Sequence, residues 1–492
     1  MKKLVSCVLL ASLLAASAAS FACGEPKSGV PTGGDSSAGN SSDVSSTEEK
    51  SDEYPYYGKD LGGKTLKIYN VKKDLWNMIC VIAPEELNGE TVNDAIFNRN
   101  AKVEKKLNCV IEEINEDDYY QMTGTLQKAI SADDGEFDAA YMKMDIIGSG
   151  ITQGYYRDLN QISTLHLDES WWDSVLIDAT SIGGKTYFAT SSAHLMGWDS
   201  LWCLFFNETM IDNLNLDMPY QLVRDGKWTL DKFQEYCTAA ANLNGDDAFK
   251  LNSDGSGNCV WGSVSFGDVI TKFIFGLNAD FATKDKDDMP IFGCNENFVN
   301  ACQKLAETLG QTGIYVDASA EPTDKHYYQT VFENQRALFL GAETKTAQLL
   351  RGAEWNFGIL PYPKLDEKQE NYRSTAVHHI ASFTIPICSR NAEDVGLLFD
   401  ALSYESDKTI LDEYFTKVVE QKGLRNDDSI DMLHIIKDTR SFDIGVAYGW
   451  FSDLTSTVAA KIKSGKTDIA SEIEKNKDKV QAKIDSTLEA MQ

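Results

Sequence analysis

The sequence predicts an α/β protein with parallel sheets divided over two or three bodies, and three observations lead there. Stretches of strand character alternate with stretches of helical period along nearly the whole chain, the pattern of sheets built from β-α-β units. At 492 residues the chain is too long for one hydrophobic core, since domains run to roughly 150 residues each. The stretch 332–363, FENQRALFLGAETKTAQLLRGAEWNFGILPYP, then reads as strand, sharp turn, helix and second strand. Within it 336–340 is a short buried strand, Gly341 frees the backbone to turn, and 342–350 carries helix formers with few breakers. Ligands in an open α/β sheet settle beyond the carboxyl ends of strands, where the next helix points unpaired N–H groups. Glu343, Thr344 and Lys345 would face that opening, and the strand 356–360 stops at Pro361 and Pro363.

Ordered structure is expected from about Asp60, with a first strand at 65–70 and a loop holding Trp76 and Asn77. Val92, Ile96, Val103 and Leu107 then share one helical face, and 109–114 is the next strand. A helix at 119–131 and a strand at 137–142 continue the alternation. That strand ends at Lys143, Met144 and Asp145 with a helix behind it, so Asp145 is a candidate ligand contact, with helix capping as the competing role. The adjacent pair Trp171 and Trp172 is expected to divide its work, one ring packing inward and the other covering a surface. DSLWCLFFN, 199–207, is a strong strand; Trp198 and Asp199 stand at its start, while Trp202 sits among apolar neighbours and reads as core.

Beyond it, 226–231 caps another helix, 260–266 is a strand and 297–309 a helix. The acidic loops 244–258 and 284–288 read as solvated turns, because the first lacks the ligand alternation and closing Glu of a calcium loop. His378 and His379 open the strand 378–387, but neighbours on a strand point to opposite faces and cannot share one metal ion. No metal site and no cofactor are expected. Helices at 392–404 and 408–420 follow. The segment 444–454 and the stripe Ile469, Ile473, Val480, Ile484, Leu488 and Met491 make the terminal helices.

Several of these segments, taken in order, resemble one family. The strands at 336–341 and 355–363 are similar to its "G-x-A-L-F-L-G" and "W-x-F-G-I-L-P-x-P" motifs, and NDAIFNRNAKVEKKLNCVIEE, 93–113, to its first helix and second strand. The family is that of the extracellular solute-binding proteins of bacterial ABC importers, in its sugar-binding branch (family 1). The resemblance implies a periplasmic-binding-protein-like fold of type II, with two α/β lobes joined by a hinge and a ligand cleft between them. Lobe 1 would comprise 60–200 plus 372–440, and lobe 2 201–371 plus 441–492. It further implies that the strand after Trp198 crosses between lobes and that Trp450 lines up with an aromatic that stacks on the ligand. Packing between the terminal helices is the competing role for Trp450.

Sugars present apolar C–H faces and many hydroxyls, so a binder needs flat aromatic platforms with amides and carboxylates around them. Nine tryptophans and 20 tyrosines supply platforms. Trp76, Trp198 and Trp450 are the stacking candidates, with Asn77, Asp145, Asp199, Glu343 and Thr344 for polar contacts. The expected activity is capture of an oligosaccharide by lobe closure and delivery, unaltered, to the permease subunits of an importer; the chain would be a monomer and not an enzyme. A peptide is the alternative ligand. The rival classes are a secreted polysaccharide hydrolase and a surface lectin that does not serve transport. Against the hydrolase, Glu112 and Glu113 are strand neighbours that face apart, and no G-x-S-x-G, H-E-x-x-H or P-loop sequence occurs.

Residues 1–22 have a basic start, Lys2 and Lys3, an apolar run and a small-residue exit, the pattern of a secretory signal. Cys23 follows Ala22 in a placement that resembles a lipobox, although Ser20 and Phe21 depart from it and an ordinary signal-peptidase site is the alternative. Residues 23–59 are rich in Gly, Ser, Thr and charge, a composition that reads as a tether. The expected location is the outer face of the cell membrane, held by lipid on Cys23. A net charge of −29 argues against nucleic acid and against anionic membrane surfaces as partners. The eight cysteines beyond Cys23 are scattered with no C-x-x-C, so buried free thiols are expected, with a Cys294 to Cys302 pair left open.

Overall fold

The computed structural model describes residues 53–492 apart from 252–256, 268, 319–326, 377–379 and 421–422. The signal, Cys23, most of the tether and the pair His378 and His379 lie outside the described residues. Eleven strands are described in chain order: β1 Lys64–Val71, β2 Cys109–Glu116, β3 Ala139–Lys143, β4 Trp202–Asn207, β5 Trp261–Ser265, β6 Ala282–Lys284, β7 Pro290–Phe292, β8 Tyr315–Asp317, β9 Ala337–Glu343, β10 Phe357–Leu360 and β11 Ala381–Thr384.

They form two main sheets and a hairpin. The first sheet has the order β11-β3-β1-β2, the second β10-β4-β9-β5-β8, and β6 pairs with β7. Strands linked through helices are parallel, as the alternation predicts: β1 with β2 and β3, and β5 with β8 and β9. Two strands run the other way. β4 opposes β9, with Trp202 facing Glu343, and β11 opposes β3, with Ala381 facing Lys143. Both follow a stretch in which the chain passes from one sheet to the other. A strand arriving that way starts at the edge where its neighbours end, so it must be antiparallel to them. The two passing stretches lie side by side, joined by a bridge between Leu201 and Ala376 and by Trp202 N–H donating to the Thr375 carbonyl at 2.9 Å.

The structure departs from the expected elements at 341–350. β9 runs on through Glu343 and only Thr346–Leu349 is helical. Ala342 and Glu343 pair with Cys203 and Trp202, and this cross-strand pairing overrides their helix propensity. Gly341 is therefore no turn. A Cβ there would stand 2.6 Å from Val269 Cγ2 and 2.9 Å from the Tyr362 hydroxyl, so the glycine serves close packing. The two expected helices at 392–404 and 408–420 are instead one helix, Ala392–Asp412, running into a π-helical stretch, Glu413–Glu420. Its polar middle runs through unbroken, with the hydroxyls of Ser403, Ser406 and Thr409 donating to carbonyls four residues back.

Trp171 and Trp172 do not divide their work. Both are buried, and both indole N–H groups donate to Asp400 Oδ1, at 3.2 and 2.7 Å. The fully buried Asp400 carboxylate also accepts from Tyr54 Oη at 2.8 Å and from the His166 N–H at 3.0 Å, with His166 Nδ1 2.8 Å away. Chain ordering thus reaches back to Tyr54, which packs against Trp171 and Tyr404. Cys80, Cys109, Cys203, Cys237, Cys259, Cys294, Cys302 and Cys388 are all buried free thiols.

His194, just before the first passing stretch, is buried with its ring stacked on Tyr141 at 4.5 Å between centroids. Its Nδ1 accepts from Met196 N–H at 3.3 Å. Burial, then the Arg99 guanidinium, hold the imidazole down to about 3, against 6.5 when free. The unfolded chain therefore takes up a proton that the folded chain refuses between those values. Stability from this residue is present above pH 6.5 and falls as the pH drops toward 3, by up to about 1.4 kcal/mol per pH unit. Urea unfolding at pH 7 and pH 5 should show this loss, and His194→Gln should reduce it; an equal loss in both proteins contradicts the assignment.

Candidate ligand cleft

Because β1, β2 and β3 are parallel, the segments after Val71, Glu116 and Lys143 collect at one edge of the first sheet. Trp76 and Asn77, Tyr119 and Tyr120, and Asp145 arrive there. At the corresponding edge of the second sheet β9 ends at Glu343 and β4 begins at Trp202, which brings Asp199, Thr344 and Lys345 together. Asp199 is 1% exposed and ties both edges to the passing chain. Its Oδ2 accepts from Ile79 N–H at 3.0 Å, in the loop after β1, and its Oδ1 from Tyr414 Oη at 2.6 Å. Thr344 Oγ1 donates to the carbonyls of Trp198 and Asp199 at 3.1 and 3.2 Å, and Lys345 Nζ donates to the Trp76 carbonyl.

Burial pushes the Asp199 carboxyl up, opposed by the Tyr414 hydroxyl and the Ile79 N–H. Asp145 is also raised by burial, with Lys143, 3.4 Å away, pulling the other way. Lys143 Nζ sits 4.9 Å from the Tyr119 ring centroid, and Trp76 meets Tyr119 edge-on at 5.2 Å. Tyr120 stands beside Tyr119 and is 83% exposed. Trp76, Tyr119 and Tyr120 thus form an aromatic rim that ends in open rings.

Deeper in, Glu343 Oε2, Trp202 Nε1 and Tyr362 Oη are buried without a hydrogen-bond partner among the described residues. Such atoms are costly and rare in native proteins. Between Met144 of the first half and Lys272 of the second only about 10 Å³ stays open, bounded also by Phe442, Asp443 and Val446. That is about the room one water takes. A roomier cavity of about 590 Å³ lies around Lys64, Arg157 and Asp394, at the opposite edge of the first sheet. Lys64 pairs with Asp394 there, and none of the aromatic rim reaches it.

The structure gathers Trp76, Asn77, Asp145, Asp199, Glu343 and Thr344 at the facing edges, but in different roles. Trp76 is 38% exposed and Asn77 is exposed, while Asp199 and Thr344 are spent on internal hydrogen bonds. Trp198 is half-buried, with Arg440 stacked over one face at 3.8 Å and Phe415 against it edge-on. Trp450 is buried, stacked on Tyr448 at 4.9 Å, with its N–H donated to Thr487 Oγ1 at 2.9 Å. Tyr119, Tyr120 and Lys143 were missed by the sequence reading, although the carboxyl-edge rule that picked Asp145 reaches them too. Tyr414 had no signal at all, since it joins the site from a helix more than 200 residues further on.

No protein-family model matches the sequence, and no curated protein matches it either. Solved structures do. An ABC substrate-binding protein of Listeria monocytogenes in complex with cycloalternan superposes with a TM-score of 0.53 at 12% identity, covering 87% of this chain and 99% of that one. The maltose/maltodextrin-binding domain MalE of Bdellovibrio bacteriovorus, bound to maltotriose, gives 0.52 at 15% identity, over 86% and 100% of the two chains. A sugar transporter of Rhizobium etli in an open conformation gives 0.56 at 15%, over 85% and 99%. The fold is periplasmic-binding-protein-like, type II. Among the described residues no helix is long and apolar enough to cross a membrane, and no three His, Cys, Asp or Glu side chains are grouped to hold a metal ion.

Asp199 and Tyr414 should behave as one unit. Asp199→Ala leaves Tyr414 Oη and Ile79 N–H without their acceptor and should cost about 2–4 kcal/mol in denaturant unfolding. Adding Tyr414→Phe should cost much less than it does in the parent chain; strict additivity of the two would show that the pair is not coupled.

Proposed function

We propose that this protein is the extracellular binding component of an ABC importer, capturing an oligosaccharide between two lobes and handing it intact to the permease. The two main sheets would centre the lobes expected from sequence, 60–200 plus 372–440 and 201–371 plus 441–492, except that the helix Asp427–Asp438 would go with the second, where Asn426, Ser429 and Asp428 bond Glu208, Tyr220 and Arg224. What carries the reading is the pairing of an open aromatic rim with buried, unpartnered polar atoms at facing sheet edges. A sugar satisfies both needs at once, its C–H face lying on a ring and its hydroxyls donating to Glu343 Oε2 and accepting from Trp202 Nε1. Neighbours of the same fold carry cycloalternan and maltotriose, which supports a carbohydrate over a peptide.

Binding to both lobes would stabilise the closed form by differential affinity, the signal for a permease, and no bond would be broken. A lipid on Cys23 would moor a monomer to the outer face of the membrane. That mooring rests on the lipobox-like start, and Cys23→Ser should shift the protein from the detergent phase to the aqueous phase.

A thermal-shift screen with maltose-series and other oligosaccharides should find at least one sugar that raises the melting temperature, since a ligand stabilises by mass action. Trp76→Ala should weaken that sugar by about 1–2 kcal/mol. Stabilisation by peptides alone, or release of new reducing ends from the sugar, would overturn the proposal.

A further inference from the structure

We infer that Lys345 is a positioning residue for Trp76, which makes the stacking ring depend on contact between the two halves of the molecule. The inference rests on the cleft reading above. Trp76 and Asn77 both have left-handed backbones, with φ of 55° and 60°, inside the short turn Leu75–Asn77. Bulky non-glycine residues seldom adopt that conformation, and they keep it only where surrounding contacts enforce it.

Three sets of hydrogen bonds bear on this turn. Local bonds close the turn: Asn77 N–H to the Asp74 carbonyl at 2.9 Å, Met78 N–H to Leu75 at 3.0 Å and Cys80 N–H to Lys73 at 3.0 Å. Asp199, on the passing chain, holds Ile79 N–H at 3.0 Å. The last contact crosses the cleft, from Lys345 Nζ to the Trp76 carbonyl itself. Lys345 directly follows Thr344 at the end of β9, is 6% exposed, and makes no ion pair with a carboxylate among the described residues. Its main-chain N–H donates to the Asp199 carbonyl at 3.3 Å, so the stem is fixed at the passing chain and the ammonium reaches outward.

A buried ammonium whose acceptor belongs to the other sheet is lost when the edges part. The turn then keeps its local bonds, the Asp199 tie and the ring contact with Tyr119, but loses the Lys345 donor to the Trp76 carbonyl. Without that donor the left-handed backbone at Trp76 is less firmly enforced, and its ring is held less closely in place beside Tyr119. Closure, in this account, sets the platform as well as covering it. An open cleft would offer the ligand a poorer surface than a closed one, which sharpens the difference in affinity between the two states.

The test uses the full chain with Asp117→Cys and Leu349→Cys carrying spin labels, both sites being exposed and on opposite edges. Lys345→Met should broaden and lengthen the distance distribution without any ligand, and should change the Trp76 emission, read as the difference from Trp76→Phe. Lys345→Arg, which retains a long cationic donor, should restore much of both. For the sugar found by thermal shift, Lys345→Met should weaken binding about tenfold, mostly through faster release. Lys345→Gln, too short to reach the carbonyl, should match the Met variant and serves where that variant fails to fold. Unchanged distances and emission in a folded Lys345→Met or Lys345→Gln protein overturn the inference. Because those two readouts need no sugar, they can fail while the carbohydrate proposal stands, and the reverse.

Discussion

The arrangement depends on one buried carboxylate. Asp199 sits where the chain leaves one sheet for the other, and taking a carboxylate out of water is tolerable only when its oxygens are met by donors. Those donors come from the loop after β1 and from the helix around Tyr414, while the backbone carbonyl of the same residue receives the turn after β9. Four separate parts of the chain are thus fixed relative to one another through a single residue. The π-helical stretch that carries Tyr414 widens the helix at this point, the kind of local irregularity that recurs at functional sites.

From this constraint the geometry of the cleft follows. A chain that passes between two sheets must enter the second at the edge nearest the first. β4 and β11 therefore run against their neighbours, and both sheets turn their carboxyl edges toward the shared gap. Loops at those edges have backbone groups and side chains to offer a ligand, while the sheets behind them stay rigid. Residues such as Trp76 and Lys345 then meet there, though 269 positions separate them in sequence.

Much of the fold was legible because it rests on local pattern. The apolar face Val92, Ile96, Val103 and Leu107 became the buried face of the helix Thr91–Leu107, and the alternation of strand and helix gave the parallel cores of both sheets. What could not be read depended on partners far along the chain. Gly341 looks like a turn until Val269 and Tyr362 are seen pressing on it. Trp171 and Trp172 look divided until Asp400 supplies one acceptor for both. In the cleft the residue types were legible and the roles were not. An Asp at a strand start suits ligand contact and structural anchoring equally, and only the positions of Ile79 and Tyr414 decide that Asp199 anchors.

The central claim is that two sheet-centred halves, joined through the passing strands at Asp199, close on a sugar. Small-angle scattering on the purified protein tests it most directly. With the sugar that raises the melting temperature at saturation, the radius of gyration should fall or the spread of conformations narrow toward the closed form. A scattering profile that does not change while the sugar is demonstrably bound would describe a rigid binder and contradict the account.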